Sequence, residues 1–383
     1  MVGQPPAFVP AAAPFGAWAR GSGRRARPAA SRPAVAAAGL PCPARRASGA
    51  RWTASTPSDG GGHGDGDYPS PASVTPPATP IRLITCDCDG TLLNASCSTS
   101  DVNIAAVRAA IAAGVRFVAA TGKSRYGALK SMGALGDDLR AAYPNGVPGV
   151  FLQGLNVFGD DGSMLYEHTV TPDLARAIVA EARLVGSSLI AYSGDRILCE
   201  KADALTDLLP TYAEPVPEVV GTWESVIDSV PLNKFIYLGP ADKITALRPA
   251  VEAAVGAQAT LTQALPDMLE VLPPGASKGD GVRRLLEGAF GGVDPAAVLA
   301  LGDAENDMTM FELVGTSVAM ANALPALKEL ATAVTVGTNV EDGVAEAIRA
   351  LVLEPLAKAG KNGVFVDAAE AEASRAPSPA AGG

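Results

Sequence analysis

The sequence predicts an α/β protein with a Rossmann-like parallel-sheet core and an α+β cap domain inserted into it. Short apolar strands alternate with amphipathic helices, and this alternation occurs in two separated stretches. Between them lie roughly 105 residues with helices and strands of their own, enough for a second domain. Strands that are apolar on both faces indicate a parallel sheet covered by helices.

The first stretch contains a strand, a helix and a second strand, predicted over Ile81–Cys86, from about Asp101 to Gly114, and over Val115–Ala120. Ser100 is suited to cap the helix, and Gly114 is suited to end it. We predict one part of the core over residues 81–165.

The middle, residues 166–272, is predicted as the inserted domain, with elements at Leu174–Leu184, Leu189–Tyr192, Phe235–Leu238 and Met268–Val271. The core pattern then returns over residues 273–356. Its predicted elements are a helix at Asp280–Phe290, a strand at Val298–Leu301, a helix at Met308–Val314, strands at Val318–Met320 and Val334–Val336, and a helix at Val344–Leu353.

The N-terminal segment 1–58 has eight arginines, no lysine and no acidic residue. This composition is typical of an organelle transit peptide. Its prolines disfavour an amphipathic helix, so a plastid stroma address is preferred over a mitochondrial one. A disordered tail with no address is the alternative. Residues 59–80 are predicted as a disordered linker and residues 357–383 as a disordered tail.

The remaining composition restricts the function classes. Without the N-terminal segment the chain has 30 − 8 = 22 basic and 40 acidic residues, which argues against a nucleic-acid partner. No stretch reaches the ~20 apolar residues of a membrane span. The five cysteines, odd in number, do not indicate a disulfide framework or a zinc site. The oligomeric state is left open.

Polar segments follow the predicted strands or open a helix at four places: Asp87-Cys88-Asp89-Gly90-Thr91, Thr121-Gly122-Lys123, Ser277-Lys278-Gly279 and Gly302-Asp303-Ala304-Glu305-Asn306-Asp307. Ligands of open parallel sheets bind at the carboxyl ends of the strands. We therefore expect the four segments to form one site.

Asp87 can attack phosphorus once a cation offsets its repulsion from a phosphate group. Asp89, two residues further, can transfer a proton. Gly90 allows the sharp turn between them and Thr91. Taken alone, the segment could also be a plain turn or a calcium loop, although the remaining ligands of an EF-hand are missing.

Thr121 and the Gly122 N–H can bind a phosphoryl oxygen, and Lys278 can neutralise charge during transfer. Asp303, Asn306 and Asp307 offer hard oxygen ligands suited to Mg²⁺, to which Asp87 and the Asp89 carbonyl can be added. Each segment alone also has a structural interpretation, as a strand end, a solvated lysine or a capped loop.

Together and in this order, the four segments resemble the haloacid dehalogenase superfamily over about 270 residues, from Ile81 to Leu353. Within it the chain is similar to the Cof-type phosphatases, with related stretches at Ala120-Thr121-Gly122, Leu269-Glu270-Val271 and Val318–Ala323. The resemblance implies a nucleophile at Asp87, an acid/base at Asp89, phosphate ligands at Thr121 and Lys278, and a Mg²⁺ ligand at Asp303 supported by Asn306 and Asp307.

Two positions depart from the Cof-type pattern. Lys123 stands where arginine is common, and Gln153 stands where asparagine is common, so their substrate contacts are open. Around these positions the chain looks more like a plant and algal plastid branch. In some of those proteins a similar domain is joined to a metal-dependent endoribonuclease-type domain. The two histidines here, His63 and His168, cannot build such a nuclease site.

The sequence therefore predicts a Mg²⁺-dependent phosphatase acting on a small phosphorylated metabolite, such as a sugar phosphate or a flavin nucleotide. A phosphomutase with the same motifs is the nearest alternative. A non-catalytic plastid accessory protein that keeps the pocket is the alternative from another class.

Overall fold

The computed structural model describes residues 68–360. The predicted transit peptide, residues 59–67 of the predicted linker and residues 361–383 of the predicted tail lie outside the described residues. Among the described residues, no helix has the length and apolar character needed to cross a bilayer.

The first part of the chain forms eight elements: β1 (Leu83–Cys86), α1 (Asp101–Ala112), β2 (Arg116–Ala120), α2 (Arg125–Ser131), α3 (Ala134–Ala142), β3 (Gly149–Phe151), β4 (Asn156–Phe158) and β5 (Met164–Glu167). The Ser100 hydroxyl accepts a hydrogen bond from the Asn103 N–H and caps α1 as predicted. Gly114 follows this helix with a φ of 84°, a conformation that glycine adopts without strain.

The middle part forms α4 (Pro172–Val185), β6 (Ser188–Ser193), β7 (Arg196–Cys199), β8 (Glu218–Val219), β9 (Lys234–Leu238), α5 (Ala241–Val255), β10 (Thr260–Leu265) and β11 (Met268–Leu272). The last part forms α6 (Lys278–Gly288), β12 (Val298–Gly302), α7 (Met308–Leu313), β13 (Thr316–Ala319), α8 (Pro325–Leu330), β14 (Ala333–Val334), α9 (Gly343–Ile348) and α10 (Glu354–Lys358), with a π-helical turn at Arg349–Leu353 between the last two.

The core sheet has eight strands in the order β14-β13-β12-β1-β2-β3-β4-β5. The six strands from β14 to β3 are parallel, and β4 and β5 extend the sheet antiparallel. The predicted fold class is confirmed. Strand β5 belongs to this sheet up to Glu167, so the sheet continues past the predicted domain limit at residue 165.

Alternate side chains of the core strands enter two hydrophobic clusters on opposite faces of the sheet. Ile84 and Cys86 of β1 lie in one cluster, with residues of α1 and α9, whereas Leu83 lies in the other, with residues of α6 and α7. This alternation is the two-residue period of a strand, and it explains why strands buried on both faces read as wholly apolar.

The second sheet has six strands in the order β10-β11-β9-β6-β7-β8. Residues of α4 and α5 pack on one face of it. Its other face contributes Ile190 and Ile236 to a cluster that also contains Leu152 and Leu155 of the core. The inserted α+β domain therefore sits directly on the core, next to the β3–β4 connection.

Two predictions of disorder are wrong for residues that the structure describes. Within residues 68–80, Tyr68 and Val74 pack against the core clusters, and the Val334 N–H donates to the Pro69 carbonyl at 2.9 Å. Helix α10 continues two residues into the predicted tail, to Lys358, and Leu356, the last residue of the predicted core, is buried. A few well-placed apolar residues order segments whose average composition indicates disorder.

Candidate active site

Three neighbouring strands bring the predicted polar segments to one edge of the sheet. Strand β1 pairs in parallel with both β2 and β12, and Cys86 lies opposite Ala119 and Leu301. Asp87 follows directly after β1, and Asp303 follows directly after β12. The expectation of one shared site at the carboxyl ends of the strands agrees with this register.

The centre of the site is a buried group of three carboxylates. Asp87, Asp303 and Asp307 each present an oxygen, and these oxygens lie within 4.8 Å of one another. The Lys278 ammonium, at the first position of α6, donates to Asp87 Oδ1 at 2.5 Å and to Asp307 Oδ1 at 2.7 Å. When all are ionised, three negative charges face one positive charge, so the group can accommodate a cation.

Burial dominates the acid–base behaviour of this group. Desolvation raises the pKa of Asp87 well above its usual range, the nearby Lys278 opposes this shift, and the carboxylates of Asp307 and Asp303 add to it. Desolvation lowers the pKa of Lys278, but Asp307 and Asp87 outweigh that effect and leave this pKa above its usual value. Lys278 is therefore a permanent cation beside Asp87.

The loops that carry these carboxylates are held by hydrogen bonds. Asp307 Oδ2 accepts from the N–H groups of Asp303 and Ala304 at 2.9 and 3.0 Å. Thr91 Oγ1 donates to Asp303 Oδ1 at 3.2 Å. Gly90 has a φ of +85°, and a β-carbon there would collide with the Asp303 carboxylate. Glycine is therefore required where the loop after β1 turns against the loop after β12.

In the segment after β2, the Thr121 side chain stabilises a turn of the backbone. The Thr121 hydroxyl accepts from the Lys123 N–H at 3.2 Å. The Lys123 ammonium lies 3.3 Å from Asp89 Oδ1 and donates to the Tyr212 carbonyl of the inserted domain at 2.8 Å. Desolvation lowers the pKa of Lys123, but Asp89 and Glu214 outweigh it and leave this pKa raised. The lysine thus joins the core to the inserted domain.

Asn306 offers an oxygen that the protein does not use. Its Nδ2 donates to Gln153 Oε1 at 3.1 Å. Its Oδ1 is buried and has no hydrogen-bond partner among the described residues. Because buried polar atoms are almost always satisfied, this oxygen is suited to a ligand that enters the site. The hard oxygen donors present therefore fit a divalent cation such as Mg²⁺.

Sequence reasoning missed an ion pair that the inserted domain places over the site. Lys234 Nζ donates to Glu270 Oε2 at 2.5 Å and to the Gly122 carbonyl at 2.8 Å. Glu270 Oε1 accepts from Gln153 Nε2 at 3.1 Å. Lys234 begins the otherwise apolar strand β9, and Glu270 lies in the middle of the otherwise apolar strand β11. A charged residue in such a strand was the signal that could have indicated a buried ion pair.

Glu214 of the inserted domain is also buried and was not predicted. Its Oε2 accepts from the Ser124 hydroxyl at 2.7 Å. Desolvation raises the pKa of Glu214, and the Lys123 charge opposes this shift. Glu214 and the Tyr212 carbonyl form a second polar connection between the inserted domain and the loop after β2.

The fold and this site define an α/β enzyme with two parts: a parallel-sheet core that carries a carboxylate cluster at its strand ends, and an inserted cap. Residues 84–348 match the family model of haloacid dehalogenase-like hydrolases, and the chain belongs to this family. A solved haloacid dehalogenase-like hydrolase from Bacteroides thetaiotaomicron is 28% identical, with a TM-score of 0.61, and the match covers 70% of this chain and 98% of that one.

Two relatives by sequence match the same region. The chloroplastic endoribonuclease YBEY of Arabidopsis thaliana is 38% identical over 273 residues, which are 70% of this chain and 46% of that protein. The chain thus spans about half of that protein's length. The 5-amino-6-(5-phospho-D-ribitylamino)uracil phosphatase YwtE of Bacillus subtilis (strain 168) is 27% identical over 296 residues, covering 71% of this chain and 98% of YwtE.

Proposed function

We propose that this hydrolase is a Mg²⁺-dependent phosphatase that cleaves small phosphate monoesters through an aspartyl-phosphate on Asp87. The observation that carries the proposal is the buried Asp87 carboxylate, which contacts the Lys278 ammonium and lies with Asp303 and Asp307 in one cluster. The phosphatase YwtE, similar over nearly its whole length, supports the same reaction type. A sugar phosphate or a phosphorylated cofactor such as a flavin nucleotide fits this class.

The proposed metal ligands are Asp87, Asp303 and Asp307, together with the unused Asn306 oxygen and the Asp89 carbonyl. When bound, Mg²⁺ offsets the negative charge of the phosphate and of the attacking carboxylate. Lys278 supplies a further fixed positive charge next to Asp87, which stabilises charge on the transferring group.

Thr121 and the Gly122 N–H are proposed to hold phosphoryl oxygens, with Lys123 at the rim. A carboxylate oxygen of Asp87 bonds to phosphorus while the bond to the ester oxygen breaks, and Asp89 gives that oxygen a proton. Asp89 then takes a proton from the water that attacks phosphorus, and the bond to Asp87 breaks, releasing phosphate. The partly exposed Asp89 side chain can exchange protons with solvent between turnovers.

The metal requirement is tested by measuring phosphate release from p-nitrophenyl phosphate after dialysis against a chelator. We expect activity to disappear, to return with Mg²⁺ and to return poorly with Ca²⁺, whose longer and more variable coordination misplaces the reacting oxygens. A thermal melt of the chelated protein controls for unfolding. Full activity in excess chelator would refute the metal assignment.

We also propose that residues 81–165 and 273–356 act as the catalytic core and residues 166–272 as a cap that governs access. The contacts of Lys234 with the Gly122 carbonyl and of Lys123 with the Tyr212 carbonyl support this division. A closed cap excludes water from the transfer step and adds contacts to the substrate.

The proposed location is the plastid stroma, with the mitochondrion as the alternative. The support is the acid-free, arginine-rich composition of residues 1–58 and the chloroplastic relative. A fluorescent reporter fused to residues 1–60 is expected to enter plastids, whereas a fusion to residues 68–360 is expected to stay in the cytosol. Cytosolic fluorescence from the first fusion would contradict the proposal.

A further inference from the structure

The buried charges of the described residues are gathered around the candidate active site. Five are acidic and three are lysines, and no arginine is among them: Asp87, Glu214, Glu270, Asp303, Asp307, Lys123, Lys234 and Lys278. Around this site, therefore, buried acidic side chains outnumber buried basic ones before any metal or substrate is bound.

Each of the three buried lysines already has a carboxylate partner. Lys278 contacts both Asp87 and Asp307. Lys234 contacts Glu270, and Lys123 lies 3.3 Å from Asp89. Among these lysines, Lys278 and its carboxylates belong to the proposed reaction centre. Lys123 and Lys234 lie between the core and the cap, where the organic part of an ester would enter.

Glu270 is placed to contact that organic part. Its Oε1 lies 3.5 Å from the point that a β-carbon on Gly122 would occupy, and its partner Lys234 donates to the Gly122 carbonyl. The carboxylate therefore borders the loop proposed to hold the phosphate. A carboxylate accepts hydrogen bonds from hydroxyl and amino groups and repels other anions.

A second negative charge on the substrate would need a cation of its own in this buried space. Taking Lys234 from Glu270 would leave a buried carboxylate with the neutral Gln153 amide and no cation beside it, which is strongly unfavourable. Lys123 is also paired with a carboxylate, that of the partly exposed Asp89. Neutral groups do not compete for either lysine.

We infer that the substrates are monophosphate esters whose organic part carries hydroxyl or amino groups and no second negative charge, and that Glu270 is the residue that enforces this selection. The inference rests on the proposed phosphatase function and narrows it. Diphosphates, bisphosphates and phosphorylated carboxylic acids are disfavoured.

A matched pair of esters tests the inference on the full wild-type chain with Mg²⁺. Glycerol 3-phosphate and 3-phosphoglycerate differ by the exchange of a hydroxymethyl group for a carboxylate. We expect kcat/KM to favour glycerol 3-phosphate by about 100-fold or more, because like charges brought together in a buried site strongly disfavour binding. p-Nitrophenyl phosphate reports general phosphatase activity alongside.

Two variants assign the selection to Glu270. In Glu270→Gln the freed Lys234 can pair with the substrate carboxylate, so the preference should fall at least about tenfold. Glu218→Gln removes a cap carboxylate that pairs with Arg196 at the surface, and it should leave the preference unchanged.

The outcomes separate the inference from the function on which it rests. Cleavage of p-nitrophenyl phosphate with equal kcat/KM for the two esters would overturn the inference alone. An unchanged preference in Glu270→Gln would overturn the role of Glu270. If none of the three esters were cleaved, the proposed function would fail, and the inference would fail with it.

Discussion

Asp87 and Asp89 are two residues apart in sequence but lie in different surroundings. Asp87 is buried and contacts Lys278, whereas the Asp89 side chain is 30% exposed and faces Lys123. A buried carboxylate held beside a fixed cation suits attack on phosphorus, and a carboxylate in contact with solvent suits proton transfer. Their environments therefore support two separate roles.

Asparagine substitutions distinguish these roles. Asp87→Asn should eliminate both turnover and covalent labelling, because an amide is a poor nucleophile. Asp89→Asn should slow turnover by about 10²–10⁴-fold, the usual worth of a general acid or base. With p-nitrophenyl phosphate, whose leaving group needs little protonation, rapidly quenched Asp89→Asn protein should carry a phosphoryl group on Asp87, detectable by mass spectrometry.

The exposed Asp160 provides a control, since Asp160→Asn should change neither rate nor labelling. If no variant carries phosphate on Asp87 while the wild type turns over, water attacks the ester directly and Asp87 is only a ligand.

The residues of the proposed reaction centre could be named from the sequence because each is tied to a local pattern. Asp87 and Asp303 follow apolar strands, and Lys278 opens a helix after a serine cap. The Lys234–Glu270 pair could not be predicted from the sequence, because it depends on the antiparallel pairing of β9 with β11 and on the packing of the inserted domain against the core. The Lys123–Tyr212 contact joins residues that are 89 positions apart and ends on a backbone carbonyl.

At the scale of elements, helix α6 carries Lys278 at its first position, so its N-terminus places the central cation of the site. The Ser277 hydroxyl accepts from the Asp280 N–H at 3.1 Å and caps this helix. Thr171 caps α4 of the inserted domain in the same manner, by accepting from the Leu174 N–H. The two helices thus have equivalent N-terminal caps, Ser277 at the proposed reaction centre and Thr171 away from it, which can be compared by substitution.

Removing either cap should cost about 1 kcal/mol of unfolding free energy. Ser277→Ala should also lower kcat, because the first turn of α6 no longer holds the Lys278 ammonium between Asp87 and Asp307. Thr171→Ala should leave kcat unchanged. Denaturant unfolding and steady-state kinetics measure the two effects. If kcat were the same in the two variants, the Ser277 hydroxyl that caps α6 would not position Lys278.

The sequence pattern predicted the buried apolar elements of the core, including short ones, but it missed short elements that lack a clear apolar pattern. Strands β1, β2 and β12 were placed to within two residues, because burial on both faces makes them continuous apolar runs. Strands β4 and β5 have three and four residues, and the exposed pattern of β5 carries little periodic signal. The continuation of the last helix through a π-helical turn to Lys358 has no distinct sequence signature.

At the scale of the whole molecule, residues 68–80 form a strap across the core, although their composition indicates a linker. The Pro69 carbonyl accepts from Val334, which lies in the edge strand β14. Tyr68 packs against the hydrophobic cluster on one face of the sheet, and Val74 packs against the cluster on the opposite face. The strap therefore covers a sheet edge and connects both hydrophobic clusters, which a disordered linker would not do.

Two truncations test whether this strap belongs to the folded protein. A chain that lacks residues 1–67 keeps the whole strap and serves as the reference. A chain that lacks residues 1–80 should lose about 2–3 kcal/mol of unfolding free energy, from the partial burial of two apolar side chains and from one hydrogen bond. If residues 1–58 are removed after import, we expect the mature protein to begin before Tyr68, so that the strap is kept. Equal stability of the two truncated chains would show that residues 68–80 contribute nothing to the fold and that processing could remove them.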